Sequence, residues 1–198
     1  MLNEAIALNK TPVFYSFIIG FEASNVKFLS SNCDSSPNLC QKGSQFIRTN
    51  KKHILEKYRH HSYNIANYIT KKGFCIFLIE PYFWNYYGYQ SQLGGPLTGK
   101  EMRSLFDEIV SIIKSYLPNA AIAWHIKSNL TEDEMKIWWD FFKNSSNIDF
   151  IYTSDGLSHG ETSQIIPDNL TWKFMSSLTG KKIIADSGYG MIHSHSSK

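Results

Sequence analysis

Five short apolar runs along the chain predict β-strands. They cover residues 13–21, 74–79, 120–124, 148–153 and 182–185. Most of these runs are apolar at consecutive positions, which is typical of strands in a parallel sheet covered on both faces. The first run is predicted to be one continuous strand that ends just before Glu22.

Apolar residues between these runs recur at the spacing of amphipathic helices. The longest stripe consists of Ile47, Ile54, Tyr58, Ile65 and Ile69, and shorter ones cover residues 102–116, 135–142 and about 169–178. Thr98 with Glu101 and Thr131 with Glu134 form capping boxes at the starts of two of these helices. Alternating strands and helices predict an α/β protein with a mainly parallel sheet.

One titratable side chain follows each predicted strand. In chain order these are Glu22, Glu80, His125, Asp155 and Asp186. The carboxyl ends of parallel strands meet at one edge of the sheet, where α/β proteins build their active sites. Acids at such positions also cap helices and form turns. Because all five strands end in this way, the pattern predicts a functional site at that edge.

Aromatic residues are unusually frequent, at 15% of the chain. Six of the nine residues at 81–89 are aromatic, directly after Glu80, and Trp124 ends the third predicted strand. Aromatic faces beside carboxylates are typical of carbohydrate clefts, because aromatic rings stack on the C–H faces of sugars. The residues expected to bind substrate are Tyr82, Trp84, Tyr86, Trp124, Glu22 and His125. The competing interpretation is core packing, which we accept for five aromatic residues of the third and fourth helices: Trp138, Trp139, Phe141, Phe142 and Trp172.

The sequence Phe-Leu-Ile-Glu-Pro at residues 77–81 resembles the strand end of family 6 cellulases, which read Glu-Pro-Asp there. Residues 184–190 similarly resemble their last strand, which ends in Asp followed by Ser or Thr and Gly. The resemblance implies a (β/α) TIM-type barrel of the glycoside-hydrolase kind. Glu80 is then the expected acid/base, Asp186 the nucleophile or base, and Asp155 a supporting carboxylate. Retaining barrel glycosidases, which carry Glu-Pro after a middle strand, are similar to about the same degree.

This sequence departs from the cellulase pattern at two places. Tyr82 occupies the position of the presumed proton donor, and the Arg-Asp-Cys segment of the cellulases is absent. The alternative is therefore a non-catalytic carbohydrate-binding barrel. A complete barrel takes about 250 residues, whereas this chain has 198. We accordingly expect a single domain over residues 1–198 with about five βα units, which is an incomplete barrel or a fragment of one.

The sequence bears on two further classes of function. His125, His159, His193 and His195, with Asp155 and Asp186, are ligand-type residues that allow a metal-dependent hydrolase as a second alternative. The last two histidines lie in a polar tail, so neither a metal nor another cofactor is expected. A net charge of +3 is small for a nucleic-acid binder. The basic residues at 42–61 are expected to form a solvated helix face, and nucleic acid is not an expected partner.

The sequence leaves the compartment open. No apolar run approaches the roughly 20 residues of a membrane span, and no signal peptide is recognisable at the N-terminus. An extracellular location is expected if such a signal has been lost. Cys33 and Cys40 flank a turn-rich loop and are able to form a disulfide in a secreted protein. Glycosylation sequons begin at Asn129, Asn144 and Asn169, and a fourth begins at Asn9, whereas chance alone predicts about two.

Overall fold

The computed structural model describes residues 10–30, 33–69, 73–127, 129–153, 165 and 170–185. The elements in this part of the chain are, in order, β1 (Val13–Ser16), α1 (Ile18–Lys27), α2 (Leu39–Tyr68), β2 (Ile76–Ile79), α3 (Asn85–Gly88), α4 (Gly99–Tyr116), β3 (Ala121–His125), α5 (Glu132–Phe142), β4 (Phe150–Thr153), α6 (Trp172–Thr179) and β5 (Lys182–Ala185). The strands belong to one sheet, in which they follow one another in chain order. The predicted α/β class with a parallel sheet is confirmed.

The chain forms two compact units, Met1–Ile122 and Ala123–Lys198. In the first unit β1 and β2 pair in parallel from Val13 opposite Ile76 to Ser16 opposite Ile79. The backbone N–H of Ala121, at the start of β3, donates to the carbonyl of Cys75 at 2.8 Å. Helix α2 packs against α1, α3 and α4. The core of this unit therefore lies between α2 and its neighbouring elements.

The long helix α2 matches the predicted apolar stripe. Ile47, Ile54, Tyr58 and Ile65 are all buried. The side chain of Asn38 caps the helix N-terminus by accepting a hydrogen bond from the Gln41 N–H at 2.9 Å. The helix bends at Asn50, whose φ of −114° is non-helical, and its side-chain amide donates to the carbonyl of Phe46 at 2.9 Å.

The first predicted strand is wrong in its second half. Strand β1 ends at Ser16, and the apolar residues from Ile18 to Phe21 belong to helix α1. Consecutive apolar residues do not distinguish a buried strand from a buried helix. A contact that stabilises the helix comes from far along the chain. The carboxyl of Glu80 accepts a hydrogen bond from the Ile19 N–H in the first turn of α1. Glu22 consequently lies within α1 and does not follow a strand.

The second unit contains most of β3 together with β4 and β5. Strand β4 pairs in parallel with β3 and with β5, and α6 packs against β5. Helix α5 begins with the predicted capping box between Thr131 and Glu134, as α4 of the first unit begins with that between Thr98 and Glu101. Gly180 ends α6 in the left-handed conformation, with φ of 63°.

Cys33 and Cys40 are paired in a disulfide that joins residues only seven apart in the sequence. Cys75 is a buried free thiol, as its place in an apolar run predicts, and burial raises its pKa to about 11. Among the described residues, no helix combines the length and apolarity that crossing a bilayer requires.

Candidate functional site

Glu80 combines three unusual properties at the carboxyl end of β2. It follows the last residue of the strand and is 0% exposed. Its φ of 44° places a non-glycine residue in the left-handed region, which few side chains adopt without cost. Its backbone is held there because its N–H donates to the Ser16 carbonyl at 3.0 Å and its carbonyl accepts from the Phe83 N–H at 3.1 Å.

The carboxyl of Glu80 connects three elements of the first unit. Its Oε1 accepts hydrogen bonds from the Tyr58 hydroxyl at 2.5 Å and from the Ile19 N–H at 2.9 Å. Tyr58 belongs to α2, and Ile19 lies in the first turn of α1. Glu80 therefore satisfies one of the N–H groups that α1 leaves without an intrahelical partner. The end of β2, the start of α1 and the middle of α2 meet at this one oxygen.

Burial raises the pKa of Glu80 to about 8, from an ordinary value of 4.5. The hydrogen bonds from Tyr58 and from the start of α1 oppose this rise but do not outweigh desolvation. Glu80 is therefore mostly protonated at pH 7. Its second oxygen, Oε2, has no hydrogen-bond partner in the described part of the chain. A neutral carboxyl carries one O–H donor, so Glu80 retains an unused proton.

Tyr86 is the second buried polar group of this site. It is 0% exposed, and its hydroxyl has no hydrogen-bond partner among the residues that the structure describes. Burial raises its pKa well above the ordinary value, and the neighbouring Glu80 raises it further. Its ring lies against Gly43 of α2, where an added Cβ would be only 2.5 Å from the ring. We call Glu80, Tyr58, Ile19 and Tyr86 the Glu80 centre.

The segment that carries Tyr86 is tied to α2 by polar contacts. Gln92 accepts a hydrogen bond from the Ser44 N–H at 3.0 Å and donates to the Leu39 carbonyl at 2.7 Å. Arg48 donates to Glu101 at 2.8 Å and to the carbonyls of residues 94–96. This ion pair lowers the pKa of Glu101 to about 2. The loop between α3 and α4 is thereby held against the helix that supplies Tyr58.

The predicted aromatic cluster after Glu80 is divided between core and surface. Trp84 and Tyr86 are buried, whereas Tyr82 is only partly covered. The ring of Tyr82 lies 5.1 Å from that of Phe17, and the Phe17 ring lies 5.5 Å from that of Phe21, which is 62% exposed. We call Tyr82, Phe17 and Phe21 the aromatic strip. The sequence prediction missed the two phenylalanines because it placed both inside a strand.

The carboxylate of Glu22 contacts two basic side chains of α2. It lies 2.6 Å from Nε2 of His53 and 3.3 Å from Nζ of Lys57. The expected place of Glu22 in the substrate cleft followed from the incorrect strand boundary, since Glu22 was predicted to come directly after the first strand. In the structure it is an ion-pair residue between two helices.

Trp124 and His125 belong to the second unit, and both are buried. The Trp124 ring is 0% exposed and lies 5.7 Å from Trp138 and 4.4 Å from Phe142, measured between ring centroids. It therefore has no exposed face on which a sugar could stack, which corrects its expected role. His125 is the last residue of β3 rather than the residue after it, and burial lowers its pKa to about 3.

The two predicted catalytic partners of Glu80 lie outside the described residues. These are Asp155 and Asp186, and the same holds for His159, His193 and His195. Within the described ranges, no three His, Cys, Asp or Glu side chains come together as a possible metal site. The Glu80 centre and the adjoining aromatic strip are thus the described part of the candidate site.

No protein family, curated protein or solved structure matches this chain.

Proposed function

We propose that this protein is a glycoside-hydrolase-like protein that acts on or binds polysaccharide at the carboxyl edge of its parallel sheet. In this proposal the described strands belong to an incomplete (β/α) TIM-type barrel. The observation that carries the proposal is the fully buried carboxyl of Glu80, whose Oε2 has no hydrogen-bond partner among the residues that the structure describes. Burial raises the pKa of this carboxyl to about 8, so it is neutral at neutral pH.

A neutral carboxyl at the end of a parallel strand suits the acid step of glycoside hydrolysis. The general acid must be protonated at the working pH and must donate to the oxygen of the departing sugar. Desolvation is the usual physical means of raising the pKa of such an acid. Glu80 meets this requirement through its burial. Asp186, with support from Asp155, remains the proposed second carboxylate on the basis of the family resemblance.

The aromatic strip supports a carbohydrate as the ligand. Tyr82 is separated from Glu80 by one residue, and its ring contacts that of Phe17. Phe17 follows the last residue of β1 just as Glu80 follows the last residue of β2. The strip therefore lies at the strand ends, with Phe21 giving it an exposed aromatic face. Such faces bind the C–H surfaces of sugar rings by burial and dispersion.

A second candidate function is carbohydrate binding without hydrolysis. The complete burial of Glu80 favours it, because a catalytic acid has to reach the scissile bond. Tyr82 stands where the family 6 cellulases that this segment resembles carry their presumed proton donor, which favours the same alternative. Under this alternative, Glu80 is the cap of α1 and the aromatic strip alone contacts sugar.

Turnover and binding of β-glucan and chitin oligomers by the wild type and by Glu80→Gln separate the two functions. The Gln carbonyl keeps the acceptor for Tyr58 and Ile19 but has no acidic proton. Loss of turnover with retained binding is expected if Glu80 is the acid, and turnover that survives Glu80→Gln excludes that role. Binding without turnover by the wild type supports the second candidate. Glu56→Gln, an exposed carboxyl on α2, is the matched control.

A further inference from the structure

We propose that Asn129 and Asn144 are N-glycosylation sites, one at each end of helix α5. This inference does not depend on the proposed function. It concerns a modification of the second unit, whereas the Glu80 centre belongs to the first. It rests on three observations: the two sequons, their placement around α5, and the disulfide.

Both sequons present their acceptor and their hydroxyl residue to solvent. They are Asn129-Leu-Thr131 and Asn144-Ser-Ser146, and neither contains proline. Asn129, Thr131, Asn144 and Ser146 are all exposed. The middle residues, Leu130 and Ser145, are buried and anchor each segment to the fold. A bulky glycan therefore fits at either asparagine without displacing the core.

The two acceptors stand at loop positions that leave α5 intact. Asn129 lies two residues before Thr131, the N-cap whose hydroxyl accepts a hydrogen bond from the Glu134 N–H at 3.2 Å. Asn144 follows the helix in a turn closed by the Ser145 N–H, which donates to the Phe142 carbonyl at 2.8 Å. Neither asparagine occupies a helical position or is buried, whereas Asn38 is buried and caps α2.

The disulfide between Cys33 and Cys40 is the independent observation. Disulfides persist in the secretory pathway and outside the cell and are rare in the reducing cytosol. The secretory pathway is also where oligosaccharides are transferred to asparagine sequons. The disulfide and the exposed sequons thus indicate the same compartment through unrelated chemistry.

The modification is a group transfer from a lipid-linked oligosaccharide diphosphate. The side-chain nitrogen of the asparagine attacks the anomeric carbon of the first sugar, and a C–N bond forms. The bond between that carbon and the diphosphate oxygen breaks, and the lipid diphosphate leaves with the electron pair. The nitrogen loses one proton, so neither partner is oxidised or reduced.

Two glycans at these positions would cover the outer face of α5. The helix has 11 residues, so it is about 16 Å long at 1.5 Å per residue, which is within the reach of a glycan from either end. Ile137, an apolar residue that is 47% exposed, lies on this helix between the two acceptors. The glycans would shield Ile137 and exclude protein partners from this face.

Peptide mapping of the protein purified from the cells that make it tests the proposal directly. Before mapping, the sample is treated with the amidase that releases N-glycans and converts each modified asparagine to aspartate. We expect aspartate at positions 129 and 144, and unmodified asparagine at Asn147, which is exposed but belongs to no sequon. Unmodified asparagine at both 129 and 144 would overturn the proposal.

Variants assign each site when the chain is expressed behind a secretion leader in eukaryotic cells. The double variant Asn9→Gln/Asn169→Gln serves as the background, because the acceptors of these two other sequons lie outside the described residues. Adding Asn129→Gln or Ser146→Ala should each remove the mass of one glycan, whereas Thr131→Ser, which preserves the sequon and the cap hydroxyl, should remove none. Protein that is retained inside the cell is analysed in the same way, because the transferase acts before secretion. An unchanged mass for both removal variants contradicts the proposal.

Discussion

The hydroxyl of Tyr58 donates a hydrogen bond to Oε1 of Glu80 at 2.5 Å, and both side chains are fully buried. The bond connects the middle of α2 to the residue that directly follows β2 and caps α1. It also opposes the effect of burial on the acid, because donation to the carboxylate stabilises its charged form. One contact thus affects both the packing of the first unit and the proton affinity of its candidate acid.

We expect Tyr58→Phe to destabilise the first unit by about 1 kcal/mol, the usual net contribution of one hydrogen bond. It should also raise the pKa of Glu80 above its wild-type value of about 8, because a donor to the charged form is lost. Urea denaturation followed by circular dichroism between pH 5 and 10 measures both effects. Tyr63→Phe is the control, since Tyr63 lies on the same helix but is 52% exposed. Equal stability of the two variants would contradict the prediction.

The raised pKa of Glu80 predicts a loss of stability with increasing pH. The folded chain keeps a proton up to about pH 8, whereas the unfolded chain releases it near 4.5. The contribution of Glu80 to the free energy of unfolding is therefore fully present below about pH 4.5 and is lost as pH rises to about 8. Over that range we expect a fall on the order of a few kcal/mol.

Glu80→Gln should remove this fall, because the amide does not titrate and retains an acceptor for Ile19 and Tyr58. The measurement is the free energy of unfolding at half-unit intervals from pH 5 to 9. Glu56→Gln replaces an exposed carboxyl on α2 and should leave the slope as in the wild type. If the Glu80→Gln slope equals that of the wild type, Glu80 is already ionised in the folded chain.

Gly43 is expected to be required for the position of Tyr86. A Cβ at residue 43 would approach the Tyr86 ring to 2.5 Å, so Gly43→Ala must displace that ring. We expect a loss of about 1–3 kcal/mol, the range for overpacked sites, although alanine has the higher helix propensity. Lys42→Ala, at an exposed neighbouring position, should cost little. A Gly43→Ala variant as stable as Lys42→Ala would show that the ring is not confined there.

Much of the fold follows from local signals in the sequence. The stripe of Ile47, Ile54, Tyr58 and Ile65 predicts α2, and both capping boxes predict the starts of their helices, because the interacting residues are at most a few turns apart. The position of α1, in contrast, depends on a residue that is distant in the sequence. The Ile19 N–H in its first turn donates to Glu80, 61 residues away. Residues 13–21 by themselves therefore predict one continuous strand.

The candidate site was predictable only in part, for the same reason. The position of Glu80 at a strand end is visible in the sequence, whereas its burial and left-handed backbone depend on Tyr58 and α1. Trp124 looks like a site residue because it ends a strand. Its ring is covered by Trp138 and Phe142 from α5, and the sequence does not show on which side of the sheet that helix packs.

Substitution of Trp124 should therefore affect mainly stability, whereas substitution of Tyr82 should affect mainly ligand binding. Trp124→Ala is expected to destabilise the second unit by about 3–5 kcal/mol, as for other large buried side chains, and to act on sugar binding only through unfolding. Tyr82→Ala removes a partly exposed ring of the aromatic strip, and should weaken oligosaccharide binding at nearly unchanged stability. Titration of folded variants with chitin and β-glucan oligomers checks this. Undiminished binding by Tyr82→Ala would remove the strip from the proposed site.

His125 should make the second unit sensitive to acid. Burial lowers its pKa from 6.5 to about 3, so between these values the unfolded chain binds a proton that the folded chain excludes. Its contribution to stability is therefore fully present above about pH 6.5 and is lost as pH falls to about 3. His125→Gln should reduce this loss of stability at acidic pH, whatever its effect on stability at neutral pH. Four of the five tryptophans lie in the second unit, so tryptophan fluorescence during urea unfolding at pH 4 to 7 reports on it. His60→Gln, at an exposed position, is the control. If the His125→Gln variant loses as much stability at acidic pH as the wild type does, another group causes the loss.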